Sequence, residues 1–113
     1  MNLLNFFLLA KLAAAATIVV SDQQPADPGS RAVDGNRNTF WHSQYSPNLP
    51  LPHTATIDLG SIQVLNGFNY LPRQDGNANG RIGQYTLETS TDNSAWTQVA
   101  SGTWVDDPSL KHT

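Results

Sequence analysis

Two short stretches hold most of the residues whose types and spacing could do chemistry. The first is YLPRQDGNANG, residues 70–80, where an apolar run ends at Pro72 and Arg73 opens a loop of amides and glycines containing one carboxylate. A guanidinium offers a rigid fork of N–H donors, and Asn77 and Asn79 each add an amide that both donates and accepts. The second is AVDGNRNTFWHSQY, residues 32–45, with Asp34, Asn36, Asn38 and Thr39 in a tight turn and His42 and Tyr45 just downstream. Arg73, His42 and Asn79 together supply donors for vicinal hydroxyls, and Tyr45 supplies an aromatic face, which is what a neutral sugar requires. The plainer alternatives stand beside this reading. Arg73 also reads as a salt bridge to Asp75 or a stack on Tyr70, and His42 as a surface or satisfied histidine next to a core Trp41.

The Asp34 turn also has two readings. Wrapped tightly, its carboxylate, hydroxyl and carbonyls can converge on one point, which suits the many-oxygen coordination of calcium. An Asx-turn that merely closes the loop fits the same residues.

Catalytic patterns are missing. The chain has no cysteine, no G-x-S-x-G elbow, no H-E-x-x-H and no phosphate loop, and its one glutamate, Glu88, falls on an expected solvent face. A net charge of -3 provides no basic stripe for phosphates, which excludes nucleic acid as a partner. Amide-rich loops on an acidic chain also disfavour a membrane surface.

The elements that must hold these residues read as β-structure. The 113-residue chain is 13% charged and rich in Thr, Ser, Asn, Gly and Pro, a composition of short strands and long loops. Strands are expected over 17–20, 54–60, 64–71, 84–90 and 95–104. Ala55, Ile57 and Leu59 alternate with polar neighbours at the period of a half-buried strand. One short helical turn is expected over 30–33, ended by Asp34-Gly35. Such punctuation implies a sandwich or jelly roll. The polar tail GTWVDDPSLKHT reads as ending without a strand, so the fold is expected to lack its last strands.

Residues 1–16, MNLLNFFLLAKLAAAA, form an apolar run closed by small residues. The run fits a secretory signal peptide, with a secreted mature domain over 17–113. Without cysteines, about 100 residues must hold together with no disulfide, and a bound metal would be one compensating staple.

The order DGN-x-x-T-x-W, DLG, YLPRQDG-x-x-NG-x-I, S-x-D-x-x-x-W along this chain resembles a discoidin-type domain of the coagulation factor five/eight type C superfamily. The nearest branch is carbohydrate-binding module family 32. The resemblance implies an all-β jelly-roll β-sandwich and recognition of a galactose-like glycan. It assigns ligand contacts to His42, Tyr45, Arg73 and Asn79, with Tyr45 stacking on the sugar face and a further contact from Gln23, Gln24 or Asp27. It also implies a structural calcium held by the Asp34 carboxylate, the Thr39 hydroxyl and carbonyl, and the backbone carbonyls of Arg31 and Asn36. Family members complete that calcium site from a late strand, which this chain is expected to lack. A tethered catalytic domain, as in a galactose oxidase-like or glycoside hydrolase protein, is the expected alternative context, and a lipid- or protein-binding discoidin domain is a second.

Overall fold

The computed structural model describes residues 16–113. The expected signal segment, Ala16 apart, lies outside the described residues. Six strands and one 3-10 helix follow in chain order: β1 (Thr17–Val20), the helix (Gly29–Val33), β2 (Ala55–Asp58), β3 (Asn69–Tyr70), β4 (Gln84–Thr89), β5 (Thr97–Thr103) and β6 (Lys111–His112). They pair antiparallel as β1–β2, β3–β6 and β4–β5.

The β-branched run of β1 suits an extended, half-buried strand. It pairs from Thr17 opposite Asp58 to Val20 opposite Ala55, and Ser21 N–H donates to the Thr54 carbonyl at 2.9 Å, carrying the ladder one residue further. The 3-10 helix packs on this strand so closely that a Cβ at buried Gly29 would lie 2.8 Å from a Val20 methyl. That contact fixes where the loop between β1 and the helix can run. The β4–β5 hairpin carries a register shift between Leu87 and Glu88. Its turn is closed by Asp92 Oδ1, which accepts from the N–H groups of Ser94 and Ala95.

The core gathers Ala32, Trp41, Tyr70, Ile82, Leu87 and Trp104. Trp104 is its centre: the Tyr85 ring stacks on it at 3.8 Å and the Tyr70 ring at 5.2 Å. Removing either buried tryptophan side chain would cost about 3–5 kcal/mol, so the strands that carry Tyr70 and Tyr85 are held in register by the aromatic stack.

Two expectations need correction. The strand expected over 64–71 shrinks to Asn69–Tyr70; Val64 is 93% exposed and Ile62 79%, because Asn66-Gly67 interrupts the run before it reaches the core. The tail does form a strand: Lys111–His112 pairs with β3, and Phe68 and Thr113 exchange N–H···O bonds of 2.7 and 2.9 Å beyond it.

Candidate functional site

The loop between β3 and β4 is closed at its base by a buried hydrogen bond, in which Ile82 N–H donates to the Tyr70 hydroxyl at 3.1 Å. Burial pushes that phenol up to about 12, with the Ile82 bond acting in the opposite sense. Above this base, Arg73 organises the loop. Nε and Nη2 fork onto the Asp75 carboxylate at 2.8 and 2.5 Å, Nη1 donates to the Asn79 carbonyl at 3.0 Å, and the guanidinium lies 4.2 Å over the Phe40 ring. The hydrogen bond from Arg73 holds the Asp75 carboxyl at about 2. Of the alternatives for Arg73, the Asp75 salt bridge is present, while the stack falls on Phe40 instead of Tyr70, whose ring is turned into the core. Three of the five guanidinium N–H groups are used within the loop, and two are not engaged by these bonds. Asn77 and Asn79 also serve the loop, since Asp75 Oδ1 accepts from Asn77 N–H and Asn77 Oδ1 accepts from Asn79 N–H. The Asn79 residue itself is exposed.

Beside this loop is a pocket of about 230 Å³ whose lining includes His42, Tyr45, His53, Asn79 and Gly80. His42 is only 4% exposed. Its backbone is held by the first loop, with His42 N–H donating to the Asp27 carbonyl and the His42 carbonyl accepting from Gln24 N–H. Its ring Nδ1 lies 2.6 Å from the Ser43 carbonyl oxygen. A carbonyl only accepts, so Nδ1 carries the proton and Nε2 of the neutral ring is a lone-pair acceptor. That Nε2 is buried and has no hydrogen-bond partner among the described residues. Gly80 covers it so closely that a Cβ there would lie 2.7 Å away. Tyr45, 46% exposed, meets the His42 ring edge-on at 4.8 Å. The structure therefore brings His42, Tyr45 and Asn79 to one pocket and joins Arg73 to them through the Asn79 carbonyl.

The three polar residues offered for a further contact are engaged elsewhere. Gln23 Oε1 accepts from Gly29 N–H, Gln24 Oε1 accepts from Tyr45 N–H, and Asp27 pairs with Arg31. Sequence reasoning missed the pair Asp22–His53. Their side chains are nearly buried, with His53 Nδ1 2.8 Å from Asp22 Oδ2. Asp22 also accepts from Gln44 N–H through Oδ1 and from Ser21 Oγ through Oδ2, and its carbonyl accepts from Trp41 Nε1. Desolvation pushes the Asp22 carboxyl up, but the bonds from His53, Gln44 and Ser21 together outweigh it and hold it below the ordinary range. No spacing pattern links residues 31 positions apart, so only the fold reveals this pair.

In the loop at 34–39, Asp34 Oδ1 accepts from Asn36 N–H, which makes the Asx-turn. Thr39 Oγ1 lies 2.6 Å from Asp34 Oδ2 and 3.1 Å from the Asn36 carbonyl oxygen. Three oxygens from three residues thus converge, and all are of the hard type that calcium prefers. Gly35 permits the turn with φ of +74°. Arg31 sits in the 3-10 helix with its guanidinium 3.1 Å from Asp27. Among the described residues no cluster of three or more His, Cys, Asp or Glu could hold a metal, so Asp34 is the only charged donor this loop supplies.

Comparison with known proteins gives a consistent result. The chain matches the F5/8 type C domain over residues 16–113. It is 42% identical over 98 residues to galactose oxidase of Gibberella zeae, an alignment covering 84% of this chain and 14% of that protein. It is 38% identical over 76 residues to a sialidase of Micromonospora viridifaciens, covering 65% of this chain and 12% of that protein. The chain thus spans a small fraction of the length of these relatives. Among solved structures it is similar to CpGH89CBM32-5 from Clostridium perfringens in complex with GalNAc-beta-1,3-galactose, with a TM-score of 0.83 at 34% identity over 88% of this chain and 73% of that one. It is also similar to the family 32 CBM of C. perfringens NanJ in complex with galactose, with a TM-score of 0.80 at 32% identity over 88% of this chain and 71% of that one. With residues 16–113 matched, the chain belongs to the F5/8 type C domain family, and its fold is that family's all-β jelly-roll sandwich.

Proposed function

We propose that this chain is a non-catalytic carbohydrate-binding module that recognises galactose-like sugars through the loops around His42, Tyr45, Arg73 and Asn79. The observation that carries the reading is the buried, unpaired Nε2 of His42 in a pocket shared with an exposed tyrosine ring and an asparagine. A buried polar atom without a partner calls for one, and a sugar hydroxyl supplies it while the apolar sugar face rests on Tyr45. The galactose-containing ligands of the two similar solved structures support the same sugar class. Arg73 adds two N–H donors and holds Asn79 at the rim. Calorimetric titration of the chain with galactose and glucose tests this. Galactose-selective binding that disappears in Arg73→Ala is expected, and a folded chain that binds neither sugar sinks the assignment.

The similarity to one-seventh of a galactose oxidase supports a second reading of context, in which the module is tethered to a carbohydrate-active enzyme and raises its local substrate concentration. The apolar segment 1–16 supports secretion. The converging oxygens of Asp34, Asn36 and Thr39, with the Arg31 and Thr39 carbonyls nearby in sequence, support a structural calcium. Calcium should raise the melting temperature of the chain, and Asp34→Ala should abolish that rise; a melting temperature indifferent to calcium refutes the metal.

A further inference from the structure

The pocket contains a second imidazole that the sugar reading does not use. His53 is 4% exposed and lines the same pocket as His42. Its Nδ1 is turned to the Asp22 carboxylate at 2.8 Å, so Nε2, on the opposite edge of the ring, is turned away from that carboxylate. The carboxylate cannot swing away. Oδ1 is bonded by Gln44 N–H at 2.7 Å, Oδ2 by Ser21 Oγ at 3.0 Å, and the neighbouring carbonyl by the Trp41 indole at 2.9 Å. An ionised carboxylate is a pure acceptor, so His53 must carry its proton on Nδ1. In its neutral form this tautomer presents a lone pair at Nε2. The Ser43 carbonyl imposes the same tautomer on His42. Two imidazoles thus line one pocket, each fixed from behind by an oxygen that cannot donate.

We infer that His53 is a second ligand-recognition residue, whose Nε2 accepts a hydrogen bond from a sugar hydroxyl distinct from the one bound by His42, with Asp22 as its positioning residue. This rests on the sugar-binding reading above. It requires a ligand with two hydroxyl donors on one face, so a sugar with either hydroxyl removed or methylated should bind poorly.

The test is a coupling measurement. The chain is titrated with galactose and with a set of monodeoxy-galactoses, each lacking one hydroxyl, and the series is repeated on His53→Asn. Asparagine keeps an N–H where Nδ1–H met Asp22 and deletes only the Nε2 position, so the supporting bond survives. In the wild type, at least two different hydroxyl deletions should each weaken binding by about 3- to 10-fold, the range of a neutral hydrogen bond. In His53→Asn one of those two deletions should cost nothing further while the other keeps its full effect. A uniform loss across all sugars would mean that His53 is only structural, and an unchanged series would mean that it is not involved; either overturns the inference. Should the variant fail to fold, imidazole nitrogen NMR on the wild type decides. Galactose should shift the His53 Nε2 signal while Nδ1 stays protonated, and an unmoved Nε2 overturns the assignment. A wild type that binds galactose but shows none of this retains the module reading and loses His53, whereas one that binds no galactose loses both.

Discussion

Substituting alanine at Gly80 tests how the pocket is built, because the same loop contains its own control. Gly76 and Gly80 have nearly equal φ, +83° and +86°. A side chain at either position meets the same left-handed strain, about 1–3 kcal/mol. They differ in surroundings. A Cβ at Gly76 meets nothing within 4 Å among the described residues, whereas one at Gly80 meets the His42 ring at 2.7 Å from Nε2 and 3.0 Å from two ring carbons. Those contacts are several tenths of an ångström too short, and the ring is fixed by Ser43 and by burial. Overpacking of this kind costs about 1–3 kcal/mol. Gly80→Ala should therefore be less stable than Gly76→Ala by that amount, read as a difference in melting temperature of about 4–8 °C per kcal/mol for a domain of this size. Because the displaced ring carries the unpaired Nε2, Gly80→Ala should also weaken galactose binding by about 3- to 10-fold, with Gly76→Ala near the wild type. Thermal unfolding and calorimetry on the two variants give both numbers. Equal stability and equal affinity would refute the placement of His42 beneath Gly80.

Tyr70→Phe removes the hydroxyl that accepts from buried Ile82 N–H and should cost about 1–3 kcal/mol in chemical denaturation; a loss below about 0.5 kcal/mol would show that the bond does not close the loop. The Asp75 carboxyl titrates at about 2, against 3.8 unperturbed. A depressed folded value means that the Arg73–Asp75 clamp stabilises fully above about pH 4 and loses its contribution as pH falls through about 2. Carboxyl NMR should find the Asp75 midpoint near 2 in the wild type and near 4 in Arg73→Ala; a wild-type midpoint near 4 would deny the fork.

Much of the fold was legible because its signals are local. β-Branched residues at 17–20, alternation at 54–60 and the Asp-Asn-Ser turn before β5 each determine their element through neighbours a few positions away, and the turn expected over 30–33 appears as Gly29–Val33. The expected strand 64–71 failed because local apolarity says nothing about whether a core lies beneath it. The final strand was hidden for the opposite reason: Lys111–His112 looks polar and is extended only because β3 offers it a ladder. In the site, the spacing of His42, Tyr45, Arg73 and Asn79 came from family likeness, and the fold then gathered them. What Arg73 does inside its own loop, and the Asp22–His53 pair, depend on contacts between distant segments that no motif records.

The chain contains no cysteine, yet Asp22 works as a cross-link. One residue bonds the indole of Trp41, the backbone of Gln44 and the ring of His53, tying it to three points far along the chain. Bonds that share one anchor residue favour opening together, so the first loop and this wall of the pocket are expected to form one cooperative unit. The Trp41 indole N–H and the Gln44 amide should then show the same opening free energy once their intrinsic exchange rates are divided out, and a bound ligand that braces His53 should raise both in parallel.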